Sequence, residues 1–111
     1  EESFSETVRR GNAYLEVGAG CIFVPFVRDA KIIGELCPEI DGPVNILAGA
    51  PSPPLPQLQE LGVARVSIGG LLSLAAATVV RRAAEELRDQ GTYGFANDLM
   101  AHPEMNALLA R

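Results

Sequence analysis

Short apolar runs alternate along the chain with stretches in which apolar residues recur every third or fourth position, a pattern that predicts parallel strands joined by crossover helices. The runs are Cys21–Val24, Val44–Leu47 and Ala64–Ile68. A first helix is expected from near Ser3 to a stop at Gly18, with Ser3 capping it and Glu6, three positions on, capping back. A second runs from Asp29 to Leu36, where Cys37-Pro38 ends it, and a third from Pro54 to Leu61, closed by Gly62. The last strand leads straight into Gly69-Gly70 and a long helix that ends near Gly91, which makes three βα units in sequence. Beyond Thr92 the pattern is less regular. His102-Pro103 opens a short helix with Pro in its first position, and Met105, Leu108 and Leu109 form a stripe suited to docking.

Parallel strands need both faces covered, and three of them alone leave two long unpaired edges. The expectation is therefore a part of a larger sheet, in keeping with a chain that begins without Met inside a helical pattern. The alternative is a small, free-standing three-stranded α/β domain.

Composition narrows the function classes. With 111 residues, 48% of them hydrophobic, the chain is one globular domain at most. A net charge of -5 argues against a nucleic-acid partner, because phosphate binding needs clustered Lys and Arg, and the Arg-Arg pairs at Arg9 and Arg81 read as solvated helix faces. The longest apolar run, Leu71 to Val80, is interrupted by Ser73 and Thr78 and falls well short of the roughly 20 residues of a membrane span. No signal peptide is visible. Cys21 and Cys37 form no CxxC and no zinc spacing, so two buried thiols in a reducing cytoplasm are expected.

Few residues carry catalytic promise on their own. Asp29 reads as a helix N-cap. His102, the one histidine, has no partner that the sequence identifies. No paired acidic residues flank a strand end as Mg²⁺ would require, so no metal ligand is assigned to this chain. The segment AGAPSPPLP reads as a stiff loop. From Leu71 the pattern LLSLAAATVV is apolar or small on every side, so that helix must be surrounded, and Ala75, Ala76 and Ala77 permit close approach of another helix.

The segments AYLEVGAGCIFVP, GPVNILAGAPSPP and LGVARVSIGGLLSLA, in this order and at this spacing, resemble the isocitrate lyase and phosphoenolpyruvate mutase superfamily over Glu6 to about Gly91. The strand motifs IFVP, PVN and ARVS-x-G look most like its carboxyphosphonoenolpyruvate phosphonomutase-like branch. The resemblance implies that residues 1–111 form the C-terminal part, three βα units, of an eight-stranded β/α barrel whose last helix is exchanged between subunits of a homo-oligomer. It implies chemistry that breaks or rearranges a C–C or C–P bond next to a carboxylate through a Mg²⁺-stabilised enolate, with the metal-binding aspartates and the mobile catalytic loop in the absent first half. Two positions depart from the family. Pro25 stands where methylisocitrate-lyase-like members carry a glutamate and phosphonomutase-like members a histidine, and Leu47 stands where the family has an asparagine.

In a barrel, strand residues alternate between the lumen and the helix shell. Ile22, Val24, Val44, Ile46, Val66 and Ile68 then face the helices, and Cys21, Phe23, Pro25, Asn45, Leu47, Arg65, Ser67 and Gly69 face the lumen. The active site is built at the C-terminal ends of the strands: Pro25–Arg28, Ala48–Pro54 and Ser67–Gly70. Asn45, Arg65 and Ser67 are the candidate substrate-binding residues. Asn45 either orients a carboxylate or cross-links neighbouring strands. Arg65 either finds a partner in the absent half or reaches solvent. Ser67 with Gly69-Gly70 forms an anion seat or a close helix–strand approach.

The expected function is that of a C-terminal fragment, inactive alone, of a cytoplasmic Mg²⁺-dependent enzyme acting on a small α-keto or α-hydroxy carboxylate. Against it stands a non-catalytic α/β module that binds a partner through its apolar last helix.

Overall fold

The computed structural model describes residues 2–110, so the two ends of the expected span lie outside the described residues. The chain divides into two compact units after Leu71.

The first unit holds helix α1 (Glu2–Glu16), strand β1 (Ile22–Val24), α2 (Ala30–Leu36), β2 (Val44–Leu47), α3 (Leu55–Glu60) and β3 (Arg65–Ser67). The strands form one parallel sheet in the order β1-β2-β3. Ile22 pairs with Val44, Val24 with Ile46 and Ile46 with Val66, while Phe23, Asn45 and Arg65 form the row between. Among the described residues no strand covers the outer edge of β1 or of β3. β1 starts one residue later than expected, at Ile22, whose N–H donates to the Pro43 carbonyl at 2.8 Å. β3 is two residues shorter than expected. Ala64 still donates to Val44 at 3.0 Å, but Ile68 has already left the ladder, and its carbonyl accepts from Leu71 N–H at 3.2 Å. Ile68 is accordingly 40% exposed and does not join the core as the strand alternation predicted.

The core lies on one face of the sheet. Ile22, Val24, Val44 and Ile46 pack with Ile33 and Leu36 of α2, Leu58 of α3 and Ile40, and the partly buried Val66 adjoins them. Each such side chain contributes roughly 1.5–3 kcal/mol by leaving water. Burial of Ile33 and Leu36, three apart, turns one stripe of α2 inward. Asp29 caps that helix as expected, its carboxylate accepting from Ile32 N–H at 3.0 Å.

Two helices stop at glycines through the same bond pair. Gly18, with φ 101°, donates to Leu15 while Ala19 donates to Tyr14; Gly62, with φ 90°, donates to Gln59 while Val63 donates to Leu58. This is the Schellman arrangement, which needs a residue tolerant of positive φ. α1 is held to the loop before β2 by Asn12, whose amide donates to the Glu39 carbonyl at 3.0 Å and accepts from Asp41 N–H at 2.9 Å.

The start of α1 differs from expectation. The helix already includes Glu2, so Ser3 lies inside it, and its carbonyl accepts from Thr7 Oγ1 at 2.7 Å. Glu6 is one turn before the Arg9-Arg10 pair and binds both guanidiniums, at 2.7 and 2.6 Å, instead of capping. Hydrogen bonds from Arg9 and then Arg10 hold the Glu6 carboxyl down to about 2, against an ordinary 4.5. A depressed folded-state value means that this contribution to stability is present above about 4.5 and is lost as the pH falls through about 2. Carboxyl NMR is expected to show Glu6 titrating near 2, and an ordinary midpoint would show the pairing absent in solution.

The second unit comprises most of α4 (Leu71–Gln90) and α5 (His102–Leu109). α5 opens as expected, with Pro103 in its first turn. Glu86 ties the turn after α4: its carboxylate accepts from Thr92 Oγ1 at 2.6 Å and from the backbone N–H groups of Gly94 and Phe95. These bonds, with Thr92 the foremost, lower the Glu86 carboxyl below its ordinary range. No residue of α4 is buried; Leu72, Leu74, Val79 and Val80 are all exposed.

Candidate active-site face of the sheet

Because strand side chains alternate, the apolar core on one face leaves Phe23, Asn45, Leu47, Arg65 and Ser67 on the other. Phe23, Asn45 and Arg65 stand abreast on the three strands, and Leu47 stands beside Ser67 one row nearer the C-terminal ends. Asn45 is 1% exposed, the one buried polar residue among those described, whereas Phe23 is 48% exposed. Ser67 Oγ donates to Asn45 Oδ1 at 3.0 Å. Asn45 is registered with Arg65, so this bond runs diagonally to the residue two further along, within reach of cross-strand side chains. The structure thus brings the three predicted residues together on one face and realises the cross-strand role open to Asn45. Arg65 is exposed, and no carboxylate among the described residues pairs with it.

Three loops rise from the C-terminal ends of the strands. After β1, Pro25 and Phe26 form a turn in which Phe26 has φ 67°. Glycine or asparagine usually occupies that left-handed region. Phe26 is also 76% exposed. Sequence reasoning placed Pro25 here but missed the strained aromatic beside it, for which the only signal was a proline followed by a residue closing the turn. After β2, Ala48 N–H donates to the Ser67 carbonyl at 2.8 Å, and Gly49 and Ser52 exchange hydrogen bonds of 3.1 and 2.8 Å, which stiffens the Pro-rich loop. After β3, Gly69 takes φ 55°. A Cβ there would meet Leu47 Cδ1 at an ordinary 3.6 Å, and one on Gly70 would meet nothing, so backbone conformation explains Gly69 and close packing explains neither.

Other expectations resolve locally. Asp29 is occupied as a helix cap, and His102 starts α5 in the second unit. Cys21 and Cys37 are free but only half-buried, a correction to the buried thiols expected, since Cys21 precedes the strand and Cys37 sits at a helix end; partial burial pushes the Cys37 thiol up. Among the described residues no three His, Cys, Asp or Glu side chains are grouped to hold a metal ion. A groove of about 520 Å³ runs beside β1, lined by Thr7, Arg10, Tyr14, Cys21, Phe23 and Pro25.

The phosphoenolpyruvate phosphomutase family model matches residues 1–88. Over 85 residues the chain is 36% identical to the uncharacterized protein MT2054 of Mycobacterium tuberculosis, a match covering 77% of this chain and 33% of that protein. Among solved structures, "a putative lyase/mutase from Burkholderia cenocepacia J2315" superposes with a TM-score of 0.86 at 34% identity, over 97% of this chain and 40% of that one. A 2,3-dimethylmalate lyase, a member of the PEP mutase/isocitrate lyase superfamily, shares the fold with a TM-score of 0.72 at 17% identity, over 94% and 38%. The chain spans about a third of the length of the curated relatives it matches. Its parallel sheet and flanking helices match part of the barrel fold of these enzymes, and the chain belongs to the phosphoenolpyruvate phosphomutase family.

Proposed function

We propose that residues 1–111 supply the last three βα units of an eight-stranded β/α barrel enzyme, and that the sheet face bearing Asn45, Arg65 and Ser67 is the part of its lumen wall that holds a substrate carboxylate. The observation that carries this reading is the clustering, on the face opposite the core, of a hydrogen-bonded Asn–Ser pair and a guanidinium that pairs with no carboxylate among the described residues. The two sheet edges left unpaired among the described residues and the coverage of a third of the curated relatives support the view that other strands complete the barrel.

The parent acts, in this reading, on a small α-keto or α-hydroxy carboxylate, breaking or rearranging a C–C or C–P bond. The family implies Mg²⁺, but the residues of this chain do not fit it: the candidate face presents a cation and neutral groups, and the described residues hold no acidic cluster. The metal is therefore assigned to residues outside this chain, and the chain alone is expected to be inactive. Free thiols at Cys21 and Cys37 suit a reducing, cytoplasmic compartment. Among the described residues no helix is long and apolar enough to cross a membrane.

The full-length parent, assayed with Mg²⁺ against phosphonopyruvate, oxaloacetate and methylisocitrate, is expected to turn over at least one; no turnover of any would overturn the proposal. A second reading, a module that binds a partner through its last helix, is favoured by the exposed Leu72, Leu74, Val79 and Val80 of α4. In the enzyme reading the same residues cover a second subunit, so light scattering of the parent is expected to show an oligomer, and a monomer at every concentration would remove that part.

A further inference from the structure

We propose that Phe26 is a specificity-determining residue of the parent enzyme: its ring seats the apolar substituent that a substrate carries beyond its carboxylate, so that an alkyl-bearing α-keto acid is favoured over a shorter one and over one with a second charge. This rests on the functional reading above. The last paired row of β1 is Val24 with Ile46, so Phe26, two residues on, stands at the C-terminal rim of the sheet. Its turn is fixed from both sides. Val24 is buried in the core, Val27 packs against the same cluster and Asp29 caps α2, which leaves Pro25 and Phe26 to bridge one core contact and the next. The bridge puts Phe26 at φ 67°, a conformation that glycine takes freely and an aromatic residue takes at a cost. Burial in this chain recovers little of that cost, because the residue is 76% exposed. A side chain both strained and uncovered breaks the local rule in the way that functional positions do.

The surrounding rim indicates what the ring meets. Residues 25–28, 48–54 and 67–70 include no carboxylate, and Arg28 is their one ionisable residue. Their two hydroxyls are engaged, Ser52 Oγ accepting from Gly49 N–H and Ser67 Oγ donating to Asn45. Phe26 and the 40% exposed Ile68 are the large apolar surface that remains. An alkyl group placed there removes apolar surface from water on both sides, whereas a charged group would lose hydration.

The test measures calorimetric binding of pyruvate, 2-oxohexanoate and 2-oxoglutarate, with Mg²⁺ present, to the full-length parent and its variants. Pyruvate and 2-oxohexanoate share a head group and differ by three methylenes, each worth about fourfold in affinity when fully buried. Wild type is expected to bind 2-oxohexanoate at least about tenfold more tightly than pyruvate, and more tightly than 2-oxoglutarate. Phe26→Asn, which suits the left-handed backbone and removes the ring, should cut the first ratio about fivefold or more, and Phe26→Tyr should retain it. The melting temperature of Phe26→Asn should stay within about 2 °C of wild type or rise. A larger fall, or a variant that does not fold, shows the ring packed under other parts of the parent and overturns the proposal. So does a ratio that Phe26→Asn leaves unmoved, or a wild type that prefers 2-oxoglutarate, which gives the outer site to Arg28. Arg65→Ala separates the two layers: if it leaves every affinity unchanged, or if wild type binds none of the three acids, the reading of the sheet face fails and the role of Phe26 with it.

Discussion

Replacing Ile33 by alanine is expected to be the most damaging single truncation in the first unit. Ile33 is 0% exposed and packs in the cluster formed by the inner residues of β1 and β2 with Leu36 and Leu58. Removing a buried branched side chain costs its transfer from water plus the cavity that rigid neighbours cannot fill, roughly 2–5 kcal/mol. In a unit of this size each kcal/mol lowers the melting temperature by about 4–8 °C. Ile32, the next residue, is 43% exposed, so Ile32→Ala serves as a control with an expected cost within about 1 kcal/mol. Urea unfolding of the two variants compares them directly. If Ile33→Ala cost no more than Ile32→Ala, the inward stripe of α2 would be wrong.

Arg65→Ala in the full-length parent is expected to raise KM for the carboxylate substrate by roughly ten- to a hundredfold, the equivalent of the 1.5–3 kcal/mol typical of a hydrogen bond to a charged group. The melting temperature should hardly move, because Arg65 is exposed and makes no ion pair among the described residues. Arg65→Lys should recover part of the loss, since it keeps the charge and gives up the planar fork that grips both carboxylate oxygens. An unchanged KM would make Arg65 an ordinary strand residue whose charge simply reaches water.

Much of the candidate site was legible because strands have a period of two. Once Val44 and Ile46 are read as core, Asn45 is forced to the other face, and the same alternation along β3 turns Arg65 and Ser67 to that face as well. Glycine stops were legible for a similarly local reason: Gly18 and Gly62 both end helices at positive φ. The capping box was not, because Glu6 had two possible local partners and the Arg9-Arg10 pair, one turn away and charged, won over a backbone N–H. Phe26 was missed because its left-handed backbone depends on the turn made with Pro25, and an aromatic residue gives no sign of it.

By itself the sequence determined the element order, the inward faces of β1 and β2 and the family, since all three follow from patterns that repeat over neighbouring residues or from ordered motifs. Only the tertiary structure decided that Ser67 bonds to Asn45, that Arg65 stands level with it, and that Asn12 fastens α1 to the loop before β2. Those facts depend on register and distance between segments 20 or more residues apart, which no local pattern encodes.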